Sequence, residues 1–226
     1  MSSTLGRAVW PEVDPARTLL IPLGSTEQHG PHLPLDTDTR IALAVADRAA
    51  EESGATRAPV VAYGASGEHA DFAGTLSIGT EVLRLVIVEL MRSAALTWSR
   101  VIFVNGHGGN HPALSSAIDQ LRAEGHEVQA WWPRIPGGDA HAGRSETSLM
   151  LAIAPDLVRL DLAEPGNTAA LIELLPVLQA QGVRAASPNG VLGDPSGASA
   201  DEGRDMLDGL VEDLLVTIDP RRARAR

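Results

Sequence analysis

Cysteine is absent from this chain of 226 residues, and its absence excludes a disulfide framework, thiolate catalysis and sulfur ligation of a metal. Any bound ion has to be held by histidine, aspartate and glutamate. Aromatic residues make up only 3% of the chain, so the neighbouring pair Trp131 and Trp132 is informative by its position. Basic charge is also in short supply. A formal charge of −11 opposes a nucleic-acid partner, because phosphate binding needs a basic surface that releases counterions. The exception is the arginine-rich end, with Arg221, Arg222, Arg224 and Arg226; residues 220–226 are expected to be a disordered, solvated tail. No apolar run reaches the roughly 18 residues needed to span a bilayer. The first seven residues lack a basic segment followed by an apolar one. These absences predict no membrane partner, no export and a cytoplasmic address.

What is present suits one core. With 44% hydrophobic and 21% charged residues, the chain is predicted to form a single domain over 1–226. Short apolar runs at 18–23, 59–63, 100–104 and 128–132 read as strands buried on both faces. Helical stripes lie between them. One carries Val82, Val86, Leu90 and Ala94 with Leu83 and Ile87 beside them, another Leu114, Ala117, Ile118 and Leu121 before the stop signal Gly125, and a third starts near Thr39. The last helix opens with the capping box Ser199 to Glu202 and buries Leu207, Leu210, Val211, Leu214 and Leu215. The alternation predicts an α/β fold, a three-layer α/β/α sandwich around a mostly parallel sheet, with functional loops at the strand ends.

Three blocks at those ends carry the chemistry. The first, GSTEQHGPHLPLDTD, follows the first strand and holds Glu27, His29, His32, Asp36 and Asp38; the second, NGHGGN, follows the strand at 100–104 and holds His107; the third is HAGRSETS, with His141 and Glu146. Glu27 and His29 point the same way if the chain stays extended, and Asp38 folds back from a helix start. Carboxylates mixed with imidazoles suit Zn²⁺, Fe²⁺ or Mn²⁺ better than the all-oxygen sites typical of Mg²⁺ or Ca²⁺. One aspartate can bridge two ions, and Asp38 is the expected bridge.

The three blocks resemble the metal-site blocks of the creatininase family of metal-dependent amidohydrolases, and Gly190 to Pro195 resembles a further family loop. The resemblance runs from about Leu19 to the last helix, and within the family it is greatest to the peptidase branch that acts in mycofactocin maturation. It implies a creatininase-like fold, two divalent transition-metal ions per chain (Fe²⁺ and/or Zn²⁺, with Mn²⁺ an alternative), and a homo-oligomer such as a hexamer. It also implies that Glu27 and His107 complete one metal and His29 the other. Creatininase itself carries a glutamate two residues after the histidine of the second block, where this chain has Gly109. Glu146 is the expected replacement, as in relatives with the His-Gly-Gly-Asn form.

Other residues have supporting or bland readings. His141 is expected either to give a proton to the leaving amine or to hold the oxyanion. Asp36 is expected to support a ligand or cap a turn, and His32, His111 and His126 to be structural. Glu68 and His69 resemble a family loop lining the pocket; of Trp131 and Trp132, one is expected in the core and the other at the substrate wall. Gly106, Gly108 and Gly109 read as a sharp turn whose N–H groups could face an anion.

The activity that follows is amide or peptide hydrolysis by a hydroxide held between two ions. The substrate implied by the resemblance is a small modified precursor peptide, releasing its modified C-terminal Val-Tyr unit. Two alternatives stand beside it: a cyclic-amide or formamide hydrolase of the same family, and a catalytically silent metal-binding scaffold.

Overall fold

A computed structural model describes residues 4–224 of the chain. Residues 1–3 and 225–226, which include parts of the N-terminal segment and the arginine-rich end considered above, lie outside the described residues.

Four strands, β1 (Leu19–Leu23), β2 (Thr56–Arg57), β3 (Val101–Asn105) and β4 (Val128–Trp131), form one sheet in the order β2-β1-β3-β4, with every pair parallel. Successive side chains alternate between faces, as the pleat requires. Leu20, Ile102, Val104 and Trp131 enter one core, under α1 (Thr37–Ser53), α4 (Arg144–Ile153) and α7 (Ala200–Ile218). Leu19, Ile21, Leu23, Val101, Phe103 and Val128 enter the other, under α2 (Thr80–Ala94) and α3 (His111–Ala123). The result is the expected three-layer sandwich. Because β2 lies on one side of β1 and β3 on the other, the loops leaving β1 and β3 diverge at their carboxyl ends and open a crevice there.

Two of the expected elements are placed differently. The strand expected at 59–63 reduces to β2 at Thr56–Arg57, followed by a single bridge between Leu23 and Val61. Pro22 accounts for it. The even-numbered residues of β1 face β2, where Leu20 O accepts from Ala58 N–H and Pro22 O from Val61 N–H, but Pro22 has no N–H to give in return. On α2 the inward row is Leu83, Ile87, Val88, Met91 and Ala94, while Val82 and Leu90 are exposed. The helix carries two adjacent apolar rows, and packing onto the sheet selects the row one residue further on. At the C-terminal end, Pro220–Arg224 form a 3₁₀ helix, and Arg221 pairs with Asp219 at 2.8 Å.

A short helix pair, α5 (Leu171–Gln181) and α6 (Val183–Ala186), was not legible as a stripe. Its sequence is apolar nearly all round and is interrupted by Pro176.

Helix α4 is anchored to α7. Ser199 caps α7 by accepting from Glu202 N–H, but the Glu202 carboxylate completes no capping box; it takes Arg144 Nε at 2.9 Å and Ser148 Oγ at 2.9 Å on α4. Gly203 lies against the Ser148 carbonyl, where a Cβ would collide with backbone, whereas Gly209 on the same helix has open space around it. Gly203→Ala is therefore expected to lower stability by about 1–3 kcal/mol through overpacking, while Gly209→Ala gains about 0.5–1 kcal/mol from helix propensity. Thermal melts of the two variants check this, and shifts of the same sign would contradict the close α4–α7 contact.

Candidate metal centre

The loop after β1 folds back on itself through a bridge between His29 and Leu33, with Gly30 at φ 64° and Glu27 N–H donating to Leu35 O at 2.9 Å. Glu27 and His29 thus lie two residues apart on an extended segment, and the returning chain starts α1 with Asp38 in its first turn. The positive end of the helix dipole favours a carboxylate there. His107 follows β3, the strand adjacent to β1. Gly106 allows the approach, since a Cβ there would strike the Asp38 carbonyl. Glu146 sits in the first turn of α4, and its Oε2 accepts from Ala142 N–H at 2.6 Å. Ala142 is the one non-glycine residue with positive φ (53°) among those described, so local backbone strain accompanies this contact.

These side chains converge as two triads that share one carboxylate. Ligand atoms of Glu27, Asp38 and His107 lie within 4.8 Å of one another, and so do those of His29, Asp38 and Glu146. Asp38 Oδ1 is 3.0 Å from His29 Nε2, and Oδ2 is 3.0 Å from His107 Nδ1. The other ring nitrogens face carbonyls: His29 Nδ1 lies 3.2 Å from Glu27 O and His107 Nε2 lies 3.2 Å from Ala65 O. An imidazole that donates one N–H to a carbonyl leaves its other nitrogen free for a metal, as metal-ligating histidines do. Both oxygens of Glu27 are buried without a well-formed hydrogen bond, although His69 Nε2 lies 3.2 Å from Oε1 and His107 Nε2 lies 3.1 Å from Oε2. A carboxylate left so is costly unless a cation meets it. The residues therefore fit divalent transition ions, each triad offering mixed oxygen and nitrogen donors.

Electrostatics report the same crowding. Burial pushes Glu27 up to about 7 despite the pull of His107, and Glu146 up to about 7 despite His29. Burial also opposes charge on Asp38, yet His29 and His107 hold it well below the usual carboxylate range. Burial alone would lower His29 and His107, but the carboxylates around them, Asp38 beside His29 and Glu27 beside His107, raise both to about 10.

The remaining expected residues divide. His69 and Glu68 line a cavity of about 1000 Å³ together with Glu27, Asp38, His107, His141 and Glu146. His69 Nε2 is 3.2 Å from Glu27 Oε1, and burial depresses the ring to about 3. Glu68 Oε1 lies 3.7 Å from His107 Nε2 and occupies the space that a side chain at Gly109 would need. Gly106 and Gly109 thus serve close approach, and neither adopts positive φ. His141 is buried beside His29, with ring centroids 4.4 Å apart and Nδ1 3.9 Å from Glu27 Oε1; burial pushes it well below its ordinary value.

Neither tryptophan lines the cavity. Trp131 is in the core with Nε1 donating to Asp213 at 2.7 Å, and Trp132 packs on the other core, touching the cavity only through His111, whose ring is 4.7 Å away. The alternation of β4 sends Trp131 under α7 and Trp132 to the opposite face, where His111 stands between its ring and the cavity. The apolar wall is instead Leu171, Leu175 and Leu178 of α5. Asp36 is half-exposed and pairs with Arg40 at 2.8 Å, so it supports no ligand. His32 is structural as expected, with Nε2 2.8 Å from Thr147 Oγ1, next to Glu146.

Several supporting residues were not singled out from the sequence although they stand inside the motifs. Ser25 Oγ donates to Asp38 Oδ2 at 2.8 Å. Asn110 Nδ2 reaches Gly24 O and Asn105 Oδ1, its Oδ1 accepts from Ala65 N–H, and Asn105 Nδ2 donates to His107 O. One amide network thereby ties the loops after β1 and β3 together.

The creatininase (creatinine amidohydrolase) family profile matches residues 7–218. The chain belongs to the creatininase family. It is 53% identical over 222 residues to the mycofactocin precursor peptide peptidase of Mycobacterium ulcerans, covering 93% of this chain and 86% of that protein. It is 56% identical over 192 residues to the protein of the same name from Mycolicibacterium smegmatis, covering 82% and 77%. Among solved structures, a mutant creatininase of Zn-Zn type superposes with a TM-score of 0.83 at 27% identity, covering 98% of each chain. That creatininase-family fold is the three-layer arrangement found here.

The shifts give a pH dependence for chelator-treated protein. His29 and His107 titrate near 10 when folded against about 6.5 when unfolded, so the stability they contribute is complete below 6.5 and is lost as pH rises towards 10. Glu27 and Glu146, raised to about 7, act in the same direction between 4.5 and 7, whereas His32 and His69, lowered to about 4 and about 3, act only below 6.5. The melting temperature in chelator is expected to fall from pH 6.5 to pH 9, and added zinc to remove the fall because ligation itself discharges both imidazoles. A flat profile in chelator would contradict the charged His29–Asp38–His107 cluster.

Proposed function

We propose that this chain is a dinuclear metal-dependent amide hydrolase that cleaves a small modified precursor peptide and releases its C-terminal Val-Tyr-derived unit. The observation that carries the reading is Asp38, one buried carboxylate shared between two ligand triads. Glu27 and His107 hold one ion with it, and His29 and Glu146 the other; iron, zinc and manganese all suit this donor set. The chemistry that ions in these triads would supply is polarisation of an amide carbonyl and a lowered pKa of water.

The chain's own residues supply the rest. His141 stands beside the triads, its Nδ1 3.9 Å from Glu27 Oε1, in position to take up the proton that the attacking water gives up and to deliver it to the departing nitrogen. The bond made is carbon to oxygen, the bond broken is carbon to nitrogen, and the products are a carboxylic acid and an amine. Leu171, Leu175 and Leu178 offer an apolar wall on the substrate side. Arg184 fixes that wall to the loop bearing Glu68 and His69, lying 4.0 Å over the Phe72 ring and donating to Asp71 O at 2.8 Å. A cavity of about 1000 Å³ suits a peptide better than creatinine, and the names of the relatives at 53% and 56% identity support the same substrate. Gly109 also removes the carboxylate that creatininase places there.

Metal analysis and product analysis test this together. Asp38→Ala is expected to lose both ions and Glu146→Gln mainly one, with turnover falling by more than the roughly 10- to 100-fold that loss of a ligand-supporting residue costs. Protein loaded separately with iron, zinc or manganese is offered the modified peptide, creatinine and a formylamino compound, and products are identified by mass spectrometry. Release of a dipeptide-derived product from the peptide alone is expected; turnover of creatinine alone would overturn the substrate, and two ions retained in Asp38→Ala would overturn the bridge.

A further inference from the structure

Between Glu27 and His29 stands Gln28, whose side chain is buried. Its amide orientation is fixed, because Oε1 accepts from Gly30 N–H at 2.8 Å and Nε2 must therefore carry the two hydrogens. Three groups surround that nitrogen: His69 Nδ1 at 2.9 Å, His141 Nε2 at 3.0 Å and Gly190 O at 3.1 Å. His141 Nε2 also lies 2.9 Å from the Gln28 carbonyl, and a carbonyl only accepts, so the His141 proton is on Nε2. The two amide hydrogens then go to His69 Nδ1 and Gly190 O. This is the one assignment in which every polar atom of Gln28 is matched. Gly190, at φ 82°, makes room for it; a Cβ there would collide with the Gln28 amide.

We propose that Gln28 is a positioning residue that sets the tautomers of two imidazoles at once. His69, accepting at Nδ1, holds its proton on Nε2 beside Glu27 Oε1. His141, donating from Nε2 to the Gln28 carbonyl, presents a bare Nδ1 to the same oxygen, 3.9 Å away. One ring thus offers an N–H and the other a lone pair to one corner of the cavity. For His141 this fixes the order of events: it accepts the water's proton first and donates it afterwards. The catalytic consequence rests on the hydrolytic reading above, whereas the tautomers themselves do not.

Protein labelled with ¹⁵N-histidine and loaded with zinc is examined by long-range ¹H–¹⁵N correlation, with His69 and His141 assigned from His69→Gln and His141→Gln. In the wild type both rings are expected to be protonated on Nε2. A His69 ring protonated on Nδ1, or one with zinc on Nε2, overturns the proposal, and this measurement needs no variant at Gln28 to fold. In Gln28→Glu the carboxylate cannot donate, so His69 is expected to become protonated on Nδ1, with kcat on the modified peptide falling about 10- to 100-fold and KM little changed. An unchanged His69 tautomer, or an unchanged kcat in a folded variant, overturns the positioning role. If wild-type protein does not cleave the peptide, the substrate reading fails while the resting-state spectrum still decides the tautomers.

Discussion

Everything at this centre depends on placing one carboxylate, Asp38, where two imidazoles can reach its separate oxygens. A buried carboxylate is tolerated only with compensating charge, and here the compensation is arranged by three elements: the first turn of α1, the loop returning to it from β1, and the loop leaving β3. The parallel pairing of β1 with β3 sets the distance. Since Leu23 lies opposite Asn105, both chains leave the sheet at the same level, and Gly106 then lets the second loop close over the Asp38 backbone. A shift in register would separate His107 from the β1 loop and dismantle the Glu27–Asp38–His107 triad.

The carboxylate at position 146 has a different origin. It comes from a third segment of the chain, on a helix held by α7 through Glu202 and by the close contact at Gly203. The exchange at Gly109 is a matter of space as much as of ligation. With no side chain there, Glu68 and the His107 ring fill the volume, so the chain keeps a carboxylate in the cavity, and the candidate for the ligand role is Glu146 on α4. That rearrangement leaves a wide cavity backed by α5, a shape that a glutamate at 109 would narrow.

Much of this was legible because the candidate ligands sit in short, polar, glycine-punctuated blocks, most of them directly after apolar strands. Glu27, His29, Asp38, His107 and Glu146 could all be named from those blocks, and the structure brings them together. What could not be read depends on choices made by packing. The inward face of α2 keeps Leu83, Ile87 and Ala94 of the expected stripe but leaves Val82 and Leu90 exposed, because two adjacent rows are apolar. The missing strand at 59–63 follows from an amide that Pro22 lacks, a feature of the partner strand and not of the segment itself. Trp131 and Trp132 looked like candidates for the substrate wall because aromatics are rare, but β4 is the edge away from the crevice. The actual wall, α5, has no helical stripe to betray it. Gln28 was overlooked for a similar reason: an amide between two ligands gives no signal of its own until its neighbours in space are known.

The cluster is also internally frustrated, and that frustration links fold to cofactor. With protons as its only cations, the site pairs two imidazoles raised to about 10 with carboxylates of which two are raised to about 7, so the imidazoles stay charged while burial still opposes the charge of Glu27 and Glu146. Divalent ions would resolve the conflict, because they satisfy the orphaned oxygens of Glu27 and take the place of both imidazole protons. Binding free energy of that kind is added to the folded state alone, and it grows with free metal concentration by mass action. The same residues that make the centre reactive therefore make metal part of what stabilises the crevice. Substitutions that weaken ligation should consequently be judged on folded, metal-analysed protein before any loss of turnover is assigned to chemistry.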